Sequence, residues 1–229
     1  MISRTVGHTT VTLPALDEPG LYLTNVESLE GTRGTVQDFQ YMGLNLRALE
    51  LTSTRLITGR VSGLRAAQVI FEDARVDSVE FNDCDLGAAQ WRNSKLSRVV
   101  FRNCKIMAGV FAELALDNVL FDKCKLDYST FDKIRATGPV AFSGCSLDEA
   151  SFSECDLADS AVEDCTLRLT EFGQGRYRGL DLRGSDLSQI LGVAQLKKVL
   201  ITRRQQVDLA QALAAELEVV YGAELDESN

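Results

Sequence analysis

Large apolar residues recur at every fifth position through most of this chain, as in Phe81-Asn82-Asp83-Cys84-Asp85-Leu86, Phe101-Arg102-Asn103-Cys104-Lys105-Ile106 and Phe121-Asp122-Lys123-Cys124-Lys125-Leu126. Each unit centres on a bulky residue, designated i, with a small or apolar residue two places earlier: Phe39/Tyr41, Leu44/Leu46, Leu49/Leu51, Gly59/Val61, Val69/Phe71, Ala89/Trp91, Ser129/Phe131. One residue is inserted near Gly138-Pro139, where Phe142 follows Ala136 at a gap of six; the rhythm resumes through Cys145/Leu147, Ala150/Phe152, Cys155/Leu157 and Cys165/Leu167 to Ser185/Leu187. Five matches neither the helical period of about 3.6 nor the strand period of about 2. It does match a square coil in which each unit forms one side, i and i−2 point inward, and four units complete a turn. Such a coil climbs one strand spacing, about 4.8 Å, per turn, and fixed-period self-similarity is the mark of a solenoid.

A spacing of twenty is visible in the side chains themselves. Phe71, Trp91, Phe111, Phe131, Phe152 and Phe172 should stack on one side, Phe81, Phe101, Phe121 and Phe142 on the opposite one, and Leu86, Ile106, Leu126, Leu147, Leu167 and Leu187 on a third. The insertion preserves these columns, so it reads as a bulge and not as a domain boundary. Phe121 is expected inside, and its neighbour Asp122 outside and tolerant of change.

In Cys84-Asp85-Leu86, Cys155-Asp156-Leu157 and Ser185-Asp186-Leu187 the units read small residue, aspartate, leucine. Here the chain resembles the pentapeptide-repeat family, whose consensus is roughly Ala-(Asp/Asn)-Leu-x-x, over about residues 39 to 190. The resemblance implies an all-β solenoid, the right-handed quadrilateral β-helix, with a C-terminal α-helical cap. Residues 1–33 hold no clean repeat and are read as an irregular N-terminal cap, to which Val11, Leu13, Leu21 and Leu23 contribute; residues 34–192 are the β-helix and 193–229 the C-terminal cap. After Thr202, a helix N-cap, a helix is expected over about 203–217, followed by a short strand at Val219-Val220-Tyr221 and a frayed tail from Glu224 to Asn229. Val207, Ala210, Leu213, Ala214 and Leu217 fall at helical spacing. With Val219 and Val220 they form either a lid over the last coil or a candidate homodimer interface, the arrangement that the resemblance to topoisomerase-binding members implies.

Catalytic chemistry finds little to work with. Cys84, Cys104, Cys124, Cys145 and Cys165 form one column, faced by Cys155. They lack the converging spacing of a zinc site, and stacked parallel side chains miss disulfide geometry. They read as small apolar fillers in a reducing compartment. His8 is the only histidine, so no Ser/His/Asp or Cys/His triad can be assembled. No phosphate-cradling fingerprint is present. The reading is therefore a non-enzyme with no catalytic residue, cofactor or metal. Neither a basic-then-apolar N-terminal run nor an apolar stretch of about 18 residues is seen, which suggests a cytoplasmic protein without a membrane span.

A net charge of −9 argues against direct nucleic-acid binding, and the charge is segregated. Arg92, Lys95, Arg98, Arg102 and Lys105 occupy an acid-free stretch, whereas Asp148, Glu149, Glu154, Asp156, Asp159, Glu163 and Asp164 occupy a base-free one. Glu149, Glu154, Asp159 and Asp164 share the i+2 position on the four sides of one turn and should form an acidic belt. With Asp148 and Glu163 they are candidate partner-binding residues. An apolar stripe at i−1, Val100, Leu120, Ala141 and Ala161, is either a second candidate protein-binding strip or, the favoured reading, half-sheltered by neighbouring side chains. The resemblance supplies a use for the belt: quinolone-resistance members of the Qnr and MfpA types are rod-like dimers that mimic DNA and bind DNA gyrase. Two departures count against this version. The lengthwise i+2 columns are mixed in charge, and the long inter-repeat loops of Qnr-type members are missing, which makes the loopless MfpA type the nearer comparison. The alternative is a rigid scaffold for an unrelated protein partner.

Overall fold

The coil turns its corners at residues held in left-handed backbone. Asp73, Ser78, Asp83, Ala88, Asn93, Arg98, Asn103 and Ala108 all have φ between 45° and 56°, and the same five-residue interval continues through Glu113, Asn118, Lys123, Tyr128 and Lys133. Left-handed backbone costs an L-residue about 1–2 kcal/mol, a cost the coil offsets by pairing each side with those above and below. In this computed structural model, which describes residues 2–31, 34–43, 45–220 and 222, the result is a parallel β-solenoid of about seven turns. Leu44, Tyr221 and the tail from 223 lie outside the described residues.

Pairing advances by twenty residues per rung. Leu96 lies between Val76 and Leu116, and Phe101 between Phe81 and Phe121. At the insertion the register moves from Leu116↔Ala136 to Val119↔Val140. Thr137 and Gly138 both donate to the Leu116 carbonyl (2.8 and 3.3 Å), so the extra residue is absorbed within one corner.

Inside, the columns form as the periodicity predicts. Phe81, Phe101, Phe121 and Phe142 stack with ring centroids 4.8–4.9 Å apart. Phe131 stacks on Phe111 at 4.8 Å and Phe152 on Phe131 at 4.6 Å in the opposite column. Across the coil the two columns meet edge to face, as Phe111 and Phe121 do at 6.0 Å, a geometry that suits the ring quadrupoles. Size is traded between rungs: the Phe39 ring fills the space that a Cβ at Gly59 would need. All six cysteines are free and buried. Cys104 Sγ donates to the Phe81 carbonyl and Cys124 Sγ to the Phe101 carbonyl, each at 3.3 Å. Burial pushes the Cys155 thiol up to about 12, which keeps it neutral.

The ends differ from expectation. Leu29, with Val26 packed beside it, joins the core at the first coil, whereas Val11 and Leu13 do not cap that end. Val11 belongs to a two-stranded antiparallel hairpin, β1 (Ser3–Val6) and β2 (Thr9–Thr12), which lies on the outer wall. At the other end, helix α1 (Gln205–Glu216) is a lid. Thr202 and Gln205 cap each other: Thr202 N donates to Gln205 Oε1 (2.8 Å) and Gln205 N to Thr202 Oγ1 (3.4 Å). The buried Gln205 amide then donates to the Leu182 and Ser185 carbonyls, both at 2.7 Å, and the Glu216 carboxylate accepts from Val193 N at 2.9 Å. The face turned to the coil is therefore Gln205, Leu209 and Ala212. Val207, Ala210, Leu213 and Leu217 point to solvent and Ala214 is half-buried. Val219 and Val220 form no strand: Glu218 is in left-handed backbone (φ 50°) and Val219 N donates back to the Ala214 carbonyl (3.0 Å), which closes the helix end.

Asp122 also departs from expectation: it is buried beneath the hairpin and not free on the surface. The outward control for the core is instead Lys125, which is exposed. Phe121→Ala should cost about 3–5 kcal/mol and Lys125→Ala no more than about 0.5 kcal/mol in denaturant unfolding. Equal losses would mean that the ring column does not carry the coil.

Candidate protein-binding surface

The acidic belt forms because the corner backbone turns its side chains outward. Glu149, Glu154, Asp159 and Asp164 have φ of 56°, 51°, 55° and 53° and all are exposed. They sit on four successive corners and point apart, so no two converge as a catalytic pair would. Neighbours temper the charge. Arg168 bridges Asp148 and Glu149, each at 3.3 Å, and Glu163 accepts from Gly7 N at 3.2 Å. Glu154, Asp159 and Asp164 make no ion pair among the described residues. Among those residues no cluster of three or more His, Cys, Asp or Glu side chains could hold a metal ion, and no helix is long and apolar enough to cross a membrane.

The apolar stripe is not open. Val100, Leu120, Ala141 and Ala161 are fully buried, in one cluster with Val6 and Val11 and with Leu13 packed against it. The chain's own hairpin lies along the stripe as a strap, at right angles to the coil strands. Arg4 Nη1 reaches Asp122 Oδ2 at 2.5 Å and Arg4 Nη2 reaches Ser143 Oγ at 3.1 Å. At the hairpin turn His8 N and Nδ1 contact Asp181 Oδ2 at 3.2 and 3.1 Å, and Thr12 N donates to Asn118 Oδ1 at 2.7 Å. The connector follows the same wall, with Asp17 3.3 Å from Arg60.

The lengthwise rows set the character of the other faces. Arg55, Arg75, Lys95 and Arg135 are in register down one i−1 column, interrupted at Ala115. All four are exposed, and none makes an ion pair among the described residues. Elsewhere signs alternate, as where Arg98 pairs with Asp77 one rung below and Lys105 with Asp85 at 3.8 Å. Acidity thus runs around the coil, while the longest single-sign row along it is basic.

Residues 114–191 match the sequence model of the pentapeptide repeat region, and these residues form the paired square coils described above. That stretch is a pentapeptide repeat region, and the chain around it continues the same solenoid. No curated protein matches the chain by sequence. Among solved structures, trypsin-treated QnrB1, a plasmid-mediated fluoroquinolone resistance protein, aligns over 86% of this chain and 96% of its own at 15% identity and a TM-score of 0.55. HetL, a pentapeptide repeat protein involved in heterocyst differentiation regulation from the cyanobacterium Nostoc sp. strain PCC 7120, aligns over 76% of this chain and 89% of its own at 12% identity and a TM-score of 0.32. At such identities the QnrB1 likeness is one of fold.

Two features of the solenoid surface escape a reading by period. Left-handed corners carry Glu, Asp, Lys and Asn more often than Gly, so glycine does not signal them. The strap lies outside the repeat altogether; its signal is Val6-Gly7-His8, a tight turn between two short alternating runs.

Asp181 anchors the strap to the coil. Burial alone would raise its carboxyl, but hydrogen bonds from Arg183 and His8 outweigh burial and hold it well below the usual carboxylate range. Since the folded value lies below the unfolded one of about 3.9, this carboxylate's stabilisation is complete above about pH 4 and is lost as the pH falls further. Thermal melts of wild type and Asp181→Asn should therefore differ most near neutral pH, the variant melting lower, and converge in acid. A gap that widens in acid would contradict the anchoring role.

Proposed function

We propose that this chain is a non-enzymatic rod that works by presenting a fixed charged surface to a protein partner. The observation that carries this reading is the acidic belt: four carboxylates fixed on successive corners by left-handed backbone, a display whose geometry needs no ordering on binding. A continuous coil offers no cleft in which a substrate would be enclosed, and the thiols are buried.

The specific version is a DNA mimic directed at DNA gyrase or another topoisomerase, acting as a homodimer. The resemblance to Qnr and MfpA types and the fold shared with QnrB1 support it. So does the C-terminal lid, α1 with the residues after it, which leaves Val207 70%, Leu217 66% and Val220 64% exposed; a symmetric pairing of that surface would set two belts about the centre of a rod. A scaffold for an unrelated partner is the second reading, and the basic row Arg55, Arg75, Lys95 and Arg135 favours it, since mimicry of DNA wants acid along the rod.

The purified protein at micromolar concentration should inhibit gyrase supercoiling or rescue it from a fluoroquinolone, and changing Glu149, Glu154, Asp159 and Asp164 to Lys should abolish the effect. No effect from the unaltered protein discards the topoisomerase reading and leaves the scaffold. For the dimer, light scattering should give twice the mass of the chain, and Val207→Asp with Leu217→Asp should halve it while keeping the β-rich circular dichroism of the wild type. A monomeric wild type removes the two-belt rod.

A further inference from the structure

Residues 2–13 cover the coil without joining its ladders. Their two strands pair only with each other, and Leu13 N closes the hairpin onto the Ile2 carbonyl at 2.9 Å. Among the described residues no backbone-to-backbone hydrogen bond links the strap to the wall. The coils complete their pairing without it, so the strap can open as a local unit at less than the global unfolding free energy. What it covers is an apolar floor, Val100, Leu120, Ala141 and Ala161, edged by the carboxylates of Asp122, Glu163 and Asp181.

The strap fits this wall imperfectly. Asp122 is 5% exposed, and its Oδ2 receives both Arg4 at 2.5 Å and Arg102 at 3.4 Å. Its Oδ1 is buried with no hydrogen-bond partner. Arg4 divides its fork between Asp122 and Ser143, so the paired contact that a guanidinium can make with a carboxylate is not made. A buried acceptor left unpaired is costly, and a ligand whose arginine engages both oxygens would recover that loss.

We propose that this wall is a docking groove for an arginine-bearing, β-branched extended segment of another protein, and that residues 2–13 hold it closed as a built-in pseudo-ligand. The occupant's chemistry follows from the wall: valine-sized side chains over the floor, and a cation at Asp122 whose fork is free to pair. Because a tethered strap competes at an effective concentration on the order of millimolar, a ligand in trans must bind better than the strap does, and the unpaired oxygen supplies the margin. The groove borders the acidic belt, where Thr9 Oγ1 donates to the Asp159 carbonyl at 2.8 Å and Gly7 N to Glu163 at 3.2 Å, but it does not depend on a topoisomerase partner.

The test uses the full chain. Val6→Asp with Val11→Asp should lift the strap and leave the wall intact. The lifted variant should keep the β-rich circular dichroism of wild type. It should bind a fluorescein-labelled synthetic peptide of residues 2–13 at least about tenfold more tightly than wild type does. That binding should fall about tenfold when Asp122→Asn is added or when the peptide's arginine is replaced by lysine. In the unaltered protein, amides of residues 3–12 should exchange with deuterium at least about a hundredfold faster than those of residues 99–101. The proposal is overturned if the lifted variant folds but binds no peptide, if Asp122→Asn leaves binding intact, or if strap and coil amides exchange alike. It is equally overturned if the variant unfolds, which would make the strap a structural brace, or if it dimerises in light scattering, which would make a second copy the occupant.

Discussion

Parallel pairing at a twenty-residue register is the constraint on which the rest of the molecule depends. Each side chain is copied onto a near-identical position one rung away, so a residue acceptable once inside the coil must be acceptable in a column. Aromatic rings satisfy this by stacking along the axis and meeting edge to face across it. Cysteines satisfy it by donating to carbonyls one rung below. The left-handed corners are the strained element. They persist because relaxing any one of them would take a whole rung out of register.

The same register governs the surface. Outward residues sit at fixed positions, and the coil is a charge display whose pattern is written by sequence and whose geometry is not negotiable. Here the display runs in two directions: acid around one turn, and a basic row along one side. A partner therefore meets two fields at right angles, which favours recognition by position over simple attraction. The strap adds a third surface, apolar and covered, in the stretch of wall where the i−1 column turns from charged to apolar residues.

Much of this was legible in the chain itself. Phe121 and Leu126 are buried where the period of five places them, the bulge at Gly138-Pro139 keeps its columns, and the belt residues share one corner position. A helix near 203–217 was legible too, but not which face would be used. Helical spacing selected Val207, Leu213 and Leu217, whereas the coil end selected Gln205 and Ala212, because an open last rung offers carbonyls as well as apolar surface. Asp122 points outward by its position and the Val100 column reads as at most half-sheltered, yet both are fully covered by the hairpin, because position within a repeat says which way a side chain points, not what lies over it.

Sequence by itself determined the coil, since a five-residue period admits one packing of inward side chains, and it determined the acidic belt, since register converts spacing into place. Only the tertiary structure decided that the N-terminal valines seal the outer wall and not the first rung, that Arg4 meets Asp122 only in part, and that the helix lid turns its apolar stripe to solvent. These are contacts between segments more than a hundred residues apart or at the end of the array, where no repeat constrains the partner and shape and charge complementarity alone select it.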